Sequence, residues 1–117
     1  VIIPGFSLLV TVPYDFDYSG LVSAPYAVPY EGLPLTSVTT RYYQGRCESK
    51  EELMNVLNDF IRKKDSILKL CYDIPGLNDR STKHVTDYIE EFYTIIENPK
   101  KIDNLIMAHC DMWPINN

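Results

Sequence analysis

Apolar residues in the second half of the chain recur every three or four positions, a spacing that places side chains on one face of an α-helix. Four segments follow this pattern. Their apolar positions are Leu53, Val56, Leu57, Phe60 and Ile61; Ile67, Leu68, Leu70 and Cys71; Val85, Tyr88, Ile89, Phe92, Ile95 and Ile96; and Ile102, Leu105, Ile106 and Met112. The sequence predicts three to four amphipathic helices, depending on whether the first two segments form separate helices or one bent helix.

Local start and stop signals delimit these helices. Ser49 to Glu52 has the form of a capping box, which predicts a helix that begins at Lys50. Asn98 followed by Pro99 combines an N-cap residue with proline at the first helical position, so another helix is expected to begin there. Ile74 to Gly76 and Trp113 to Pro114 are expected stop signals.

The first 45 residues have a different pattern. They contain five of the eight prolines, six of the nine tyrosines and only four charged residues. Proline removes a backbone donor and disfavours helix at the preceding residue, so no helix of useful length is expected. The stretches between prolines are rich in Val, Leu, Thr and Tyr and predict two or three strands, at Phe6 to Val12, Leu21 to Ala24 and Ser37 to Tyr43.

The predicted fold is therefore a single α+β domain over 1–117. Short N-terminal strands punctuated by proline, within 1–45, would pack on a C-terminal bundle of three to four amphipathic helices within 46–117. The alternative is a mainly α domain with an extended N-terminal arm. A chain of 117 residues can bury a core without help from a metal or cofactor, and none is predicted.

Charge and spacing exclude several functions. The formal net charge of −5 disfavours a nucleic-acid partner, and no apolar stretch is long enough to span a membrane. The sequence His109-Cys110-Asp111 contains the residue types of a thiol nucleophile, but neighbouring helical residues point about 100° apart. Close metal-ligand pairs are missing from the sequence. We therefore expect a protein that is not an enzyme and has no metal site.

The three cysteines suggest a compartment. The chain begins with valine, which fits either a mature product after removal of a signal peptide or a fragment of a longer protein. An exported protein would keep its cysteines in an oxidising environment. A disulfide between Cys71 and Cys110 is then the preferred pairing, with Cys47 left as a free or intermolecular thiol. The alternative is that all three cysteines are reduced and mostly buried.

A repeated proline and tyrosine pattern is the feature that most favours a functional interpretation. Val12 to Asp15 recurs as Val28 to Glu31, and Pro25-Tyr26 adds a third Pro-Tyr pair. Stiffened backbone that carries large amphipathic rings suits protein contact. The candidate partner surface comprises Tyr14, Tyr18, Tyr26 and Tyr30. The alternative is that these rings pack against the protein's own helices.

Two functions follow. The first is that of an exported, acidic protein that acts as an assembly subunit or a binding module. It would do so through protein–protein contacts or self-association. The second is a carrier of a small apolar ligand, in a pocket between the helices and the strand layer. The candidate lining residues are Phe60, Tyr88, Phe92, Met107 and Trp113. The alternative, which is favoured, is that these five side chains simply fill the core.

Overall fold

A computed structural model describes residues 15–45 and 49–110 of the chain. The chain divides after Thr39 into two compact units, although its composition changes nearer Gly45. We call residues 15–39 the N-terminal unit. Residues 40–45 and 49–110 form the helical unit.

The helical unit contains four α-helices. They are α1 (Lys50–Arg62), α2 (Lys64–Tyr72), α3 (Asp79–Ile96) and α4 (Pro99–Leu105), and a 3₁₀-helix (Met107–His109) follows α4. The prediction of successive amphipathic helices in this half is confirmed. The first two apolar segments form separate helices, with Lys63 between them.

Side-chain caps explain where three of these helices begin. Ser49 Oγ accepts a hydrogen bond from the backbone N–H of Glu52 at 3.1 Å, which confirms the predicted start of α1. Asn78 Oδ1 accepts from Ser81 N at 2.9 Å at the start of α3. Asn98 Oδ1 accepts from the N–H groups of residues 100 and 101, at 3.0 and 3.2 Å, and fixes the start of α4 at Pro99 as predicted.

The core of the helical unit lies where α1, α3 and α4 meet. Its buried residues are Leu57, Tyr93, Ile96, Ile102 and Ile106. Partly buried apolar side chains of α1, α3 and the 3₁₀-helix, together with Tyr43, pack around them. The apolar stripes read from the sequence thus supply the core, although Val56 and Leu105 on those stripes stay about half exposed.

The predicted strands are wrong wherever the structure describes them. Within 15–45 the backbone forms a 3₁₀-helix (Phe16–Tyr18), turns and irregular segments. Ser23, inside the predicted strand Leu21 to Ala24, has a φ of 50°, in the left-handed region that no strand contains. The segment Ser37 to Tyr43 also has no strand pairing, and Phe6 to Val12 lies outside the described residues.

Local turns satisfy the backbone groups that a sheet would have paired. Ala27 N donates to the carbonyl oxygen of Ala24 at 2.9 Å, around Pro25. Leu33 N donates to Tyr30 O at 3.0 Å, and Leu35 N donates to Leu33 O at 2.8 Å, around Pro34. Proline presets the dihedral angle that such turns need, so these residues bend the chain rather than mark strand edges.

The α+β prediction is therefore wrong. Helices account for 57% of the described residues, which contain no strand or sheet, and the mainly α alternative fits instead. The fourth helix also ends earlier than expected, at Leu105. Met112, Trp113 and the predicted stop at Pro114 lie outside the described residues.

The predicted disulfide between Cys71 and Cys110 is also wrong. Cys71 lies on α2 as a buried, free thiol, 8% exposed, so no disulfide joins the two cysteines that the described residues contain. The position of Cys71 on the apolar face of a short helix places its sulfur in the protein interior, where a thiol packs as a small apolar group. Cys47, the predicted free or intermolecular thiol, lies outside the described residues.

None of the helices in 15–45 and 49–110 combines the length and the apolar character that a membrane crossing requires.

Candidate functional site

The tyrosines of the N-terminal unit are exposed. The accessible fractions of Tyr18, Tyr26 and Tyr30 are 55%, 61% and 70%. Tyr14, the fourth residue of the candidate partner surface, lies outside the described residues. Other large apolar side chains of this unit are exposed beside the tyrosines: Phe16, Leu21, Val22 and Val28. We call the exposed rings of Tyr18, Tyr26 and Tyr30 the tyrosine surface.

Two of these rings are held by a small network. The rings of Tyr18 and Tyr26 meet edge to face with their centroids 6.0 Å apart. The Tyr26 phenol donates a hydrogen bond to Asp17 Oδ2 at 3.0 Å. Asp17 belongs to the 3₁₀-helix that also carries Tyr18, so the two rings and the carboxylate form one local cluster.

The network changes the acidity of its members. The hydrogen bond to Asp17, and then the negative charge of that residue, raises the pKa of the Tyr26 phenol. A hydrogen bond with the neighbouring carboxyl of Asp15, followed by the bond from Tyr26, lowers the pKa of Asp17. The same contact with Asp17 raises the pKa of Asp15, because two carboxylates so close together disfavour double ionisation.

An apolar groove lies beside this network, within the N-terminal unit. Its volume is about 570 Å³ and its wall is made of side chains from 18–38. The lining residues include Tyr18, Val28, Pro29, Tyr30, Leu33 and Leu35, and Glu31 adds a carboxylate. The groove thus combines an apolar wall with two members of the tyrosine surface.

Gly32 permits the position of the Tyr30 ring. A Cβ atom at Gly32 would lie 2.5 Å from Tyr30 Cε1, which is closer than carbon atoms approach without a clash. The absence of a side chain at Gly32 therefore lets the ring fold back over the turn that joins Tyr30 to Leu33.

A second groove lies within the helical unit. It has a volume of about 350 Å³, and segment 40–43 forms one wall while α3 and α4 form the other. Tyr88 and Phe92 of the predicted ligand pocket line it, together with Arg41, Tyr42, Tyr43, Ile95, Leu105 and Ile106. The strand layer expected on one side of the pocket is absent from the described residues.

The other predicted pocket residues lie elsewhere. Phe60 meets the ring of Phe92 edge to face, with centroids 5.4 Å apart. Met107 packs against the buried core, and Trp113 lies outside the described residues. Of the four predicted pocket residues that the structure describes, Tyr88 and Phe92 line this groove.

Arg41 is the residue of this groove that sequence reasoning missed. Its guanidinium carbon lies 3.9 Å from the centroid of the Tyr88 ring, and Arg41 Nη1 forms an ion pair with Glu91 Oε2 at 2.9 Å. Arg41 also donates to the carbonyl oxygen of Tyr88. The available signal was its isolation, because Arg41 is the only charged residue between Glu31 and Arg46.

His109 and Cys110 of the sequence His109-Cys110-Asp111 each contact another residue of the helical unit, and Asp111 lies outside the described residues. The His109 ring packs against Tyr42, with centroids 5.1 Å apart. The sulfur of the adjacent Cys110 lies 3.4 Å from the carbonyl oxygen of Ile106. The described ranges 15–45 and 49–110 contain no cluster of three or more His, Cys, Asp and Glu residues suited to a metal ion.

Comparisons of the chain with models of protein families, with curated proteins and with solved structures give no match. The two grooves and the tyrosine surface are therefore the features of this chain that bear on its function.

Proposed function

We propose that the protein acts through protein–protein contacts made by its tyrosine surface, as an assembly subunit or a binding module. The observation that carries the proposal is the exposure of Tyr18, Tyr26 and Tyr30 beside an apolar groove in the same unit. Large exposed apolar patches are uncommon on soluble proteins that have no partner.

Tyrosine is well suited to such a contact. Its ring gives a large contact area for the loss of only two side-chain rotations, and tyrosine is enriched among residues that dominate binding energy. The bond from Tyr26 to Asp17 and the edge-to-face contact with Tyr18 restrain two of the rings before any partner arrives. Such restraint lowers the entropy that is lost on binding.

Site-specific photo-crosslinking tests this proposal. The photoreactive residue p-benzoyl-phenylalanine replaces Tyr30 in the full chain, which is then irradiated in an extract of the source that produces it. The matched control places the same residue at Tyr72, a tyrosine of α2 that is 60% exposed. We expect discrete adducts from position 30, and mass spectrometry should identify the partner peptide in them. Tyr26→Ala should lower the yield of these adducts.

Two results would contradict this proposal. Equal, diffuse labelling from positions 30 and 72 would mean that exposure alone governs the reaction. A failure to obtain any adduct from position 30, with ordinary reactivity of the probe toward a free peptide, would overturn the proposal in the same way.

A second candidate function is favoured by the groove of the helical unit. Its volume of about 350 Å³ falls in the range of small-ligand pockets, and Phe92, Ile95 and Ile106 give it an apolar wall. We propose, as the alternative, that this groove carries a small apolar ligand.

A neutral fluorescent probe distinguishes this alternative. N-phenyl-1-naphthylamine should brighten on addition of the full chain, and Leu105→Trp should reduce that signal because Leu105 lines the groove. Leu70→Trp, at an exposed position on α2, is the matched control and should leave the signal unchanged. Equal signals from both variants would remove the groove as the binding site.

A further inference from the structure

We propose that the partner of the tyrosine surface is a basic segment in which arginine side chains alternate with apolar ones. This inference rests on the function proposed above and specifies the chemistry of the partner. Its basis is the combination, in one unit, of carboxylates, exposed aromatic faces and an apolar groove.

The charge of the N-terminal unit is one-sided. Residues 15–39 contain Asp15, Asp17 and Glu31 and no lysine, arginine or histidine. Glu31 lines the groove, and Asp17 lies next to Tyr18, which lines it too. A basic partner would therefore meet the Glu31 carboxylate in the groove, within a unit whose charge is negative only, whereas an acidic partner would be repelled.

The same charge disfavours a second copy of this surface as the occupant. Two such surfaces placed face to face would bring the Glu31 carboxylate of each copy into one interface, and residues 15–39 of neither copy supply a cation. Like charges across an interface disfavour association. A heterologous basic segment has no such penalty.

The helical unit shows how this chain holds an arginine. Arg41 stacks on the Tyr88 ring, pairs with the carboxylate of Glu91 and donates to a backbone carbonyl. The N-terminal unit presents the same kinds of group, because Tyr30 is followed directly by Glu31 and both residues line the groove. Its rings stay exposed, and the unit has no cation of its own to cover them.

Arginine fits this set of groups better than lysine does. A planar guanidinium stacks on an aromatic face while its N–H groups still point outward to carboxylates. The apolar wall formed by Val28, Pro29, Leu33 and Leu35 then favours leucine-like side chains between the arginines.

Binding of short peptides to the ¹⁵N-labelled full chain tests the inference. The probe is acetyl-Leu-Arg-Leu-Arg-Leu-amide, and the comparison peptides carry lysine or glutamate in place of arginine. We expect resonances of residues 17–38 to shift with the arginine peptide, more weakly with the lysine peptide and not with the glutamate peptide. Raising the salt concentration from about 0.05 to 0.5 M should weaken the binding, because exposed charges are screened.

Variants test whether the arginine peptide binds at the proposed carboxylate and aromatic groups. Glu31→Gln should weaken the binding of the arginine peptide by about two- to fivefold, the range expected for an exposed ion pair. Tyr30→Ala should weaken it by a similar factor through loss of the ring contact. The matched control is Glu90→Gln on α3, an exposed carboxylate of the helical unit that should have no effect.

Two results would overturn this inference and leave the proposed function intact. One is that the arginine peptide binds no better than the glutamate peptide, or does not bind at all. In either case position 30 would still yield crosslinked adducts. The other is a dimer in light scattering that Tyr30→Ala dissociates, which would identify a second copy as the occupant. Loss of both the adducts and the peptide binding would overturn the proposed function itself.

Discussion

The phenol of Tyr93 donates a hydrogen bond to the backbone carbonyl oxygen of Phe60 at 3.1 Å, and this bond joins α3 to α1. Tyr93 is 1% exposed and belongs to the buried core together with Leu57 and Ile96. A residue this buried adds both apolar contact and one directed bond. The two contributions can be separated by substitution.

Tyr93→Phe removes only the hydroxyl group and should lower the free energy of unfolding by about 1 kcal/mol, the usual net value of one hydrogen bond. Tyr93→Ala also leaves a cavity and should cost about 3 to 5 kcal/mol. Urea denaturation followed by circular dichroism measures both changes. Tyr72→Phe, at an exposed tyrosine of α2, is the control and should be neutral. A Tyr93→Phe variant as stable as the parent chain would mean that the bond adds nothing.

The free thiol of Cys71 should react slowly in the folded protein. It is buried on α2, and this burial raises the pKa of the thiol, so less thiolate is present at pH 8. We expect iodoacetamide to modify Cys71 several-fold more slowly in the native chain than in urea. The modification is measured on the tryptic peptide 70–80. Equal rates in the two conditions would place the thiol at the surface.

The hydrogen bond from Tyr26 to Asp17 should have a defined pH window. Because the pKa of Asp17 is lowered, the bond persists into acid and is lost as the pH falls through that lowered pKa. Because the pKa of Tyr26 is raised, the bond is lost again only when the pH rises through the pKa of the phenol. Asp17→Asn should bring the pKa of Tyr26 back toward its ordinary value of 10.0.

An NMR titration of ¹³C-labelled tyrosine between about pH 8 and 12 measures that change, since ionisation of the phenol shifts its ring resonances. Glu31→Gln is the control, because Glu31 is not among the causes of the shift in Tyr26. An unchanged pKa of Tyr26 in Asp17→Asn would show that the bond does not form in solution.

The cap at Asn98 should stabilise the helical unit. Its side chain accepts two backbone N–H groups at the start of α4, and that helix places Ile102 in the core. Asn98→Ala should cost about 1 kcal/mol. Asn104→Ala, at an exposed position within α4, is the matched control and should be neutral or slightly stabilising, because alanine favours helix. Equal effects of both substitutions in urea denaturation would contradict a capping role.

The helices could be predicted from the sequence because their signals are local. Ser49 and Asn98 each satisfy backbone groups two or three residues away, so a short window contains the whole interaction. The prediction of strands was wrong because strand propensity depends on a pairing partner, which a short stretch of sequence cannot show. The left-handed backbone at Ser23 is set by its turn and not by a preference of serine.

The candidate sites likewise include features that the sequence indicates locally and contacts that it does not indicate. The Pro-Tyr pattern indicated where Tyr26 and Tyr30 lie in the chain, since each follows a proline. The contact of Arg41 with Tyr88 joins residues 47 positions apart, and only the packing of segment 40–43 against α3 creates it. Such a contact has no local signal beyond the isolation of the charge.

Gly32→Ala provides the last prediction, because it moves the Tyr30 ring without removing it. The new Cβ would lie 2.5 Å from Tyr30 Cε1, and the exposed ring can turn away at little cost. The free energy of unfolding should therefore change by less than about 0.5 kcal/mol, while the arginine peptide should bind more weakly. Gly45→Ala is the matched control, because it clashes in the same way with Tyr43 of the helical unit and should leave peptide binding unchanged. If Gly32→Ala binds the peptide as the parent chain does, the position of the Tyr30 ring does not matter for the contact.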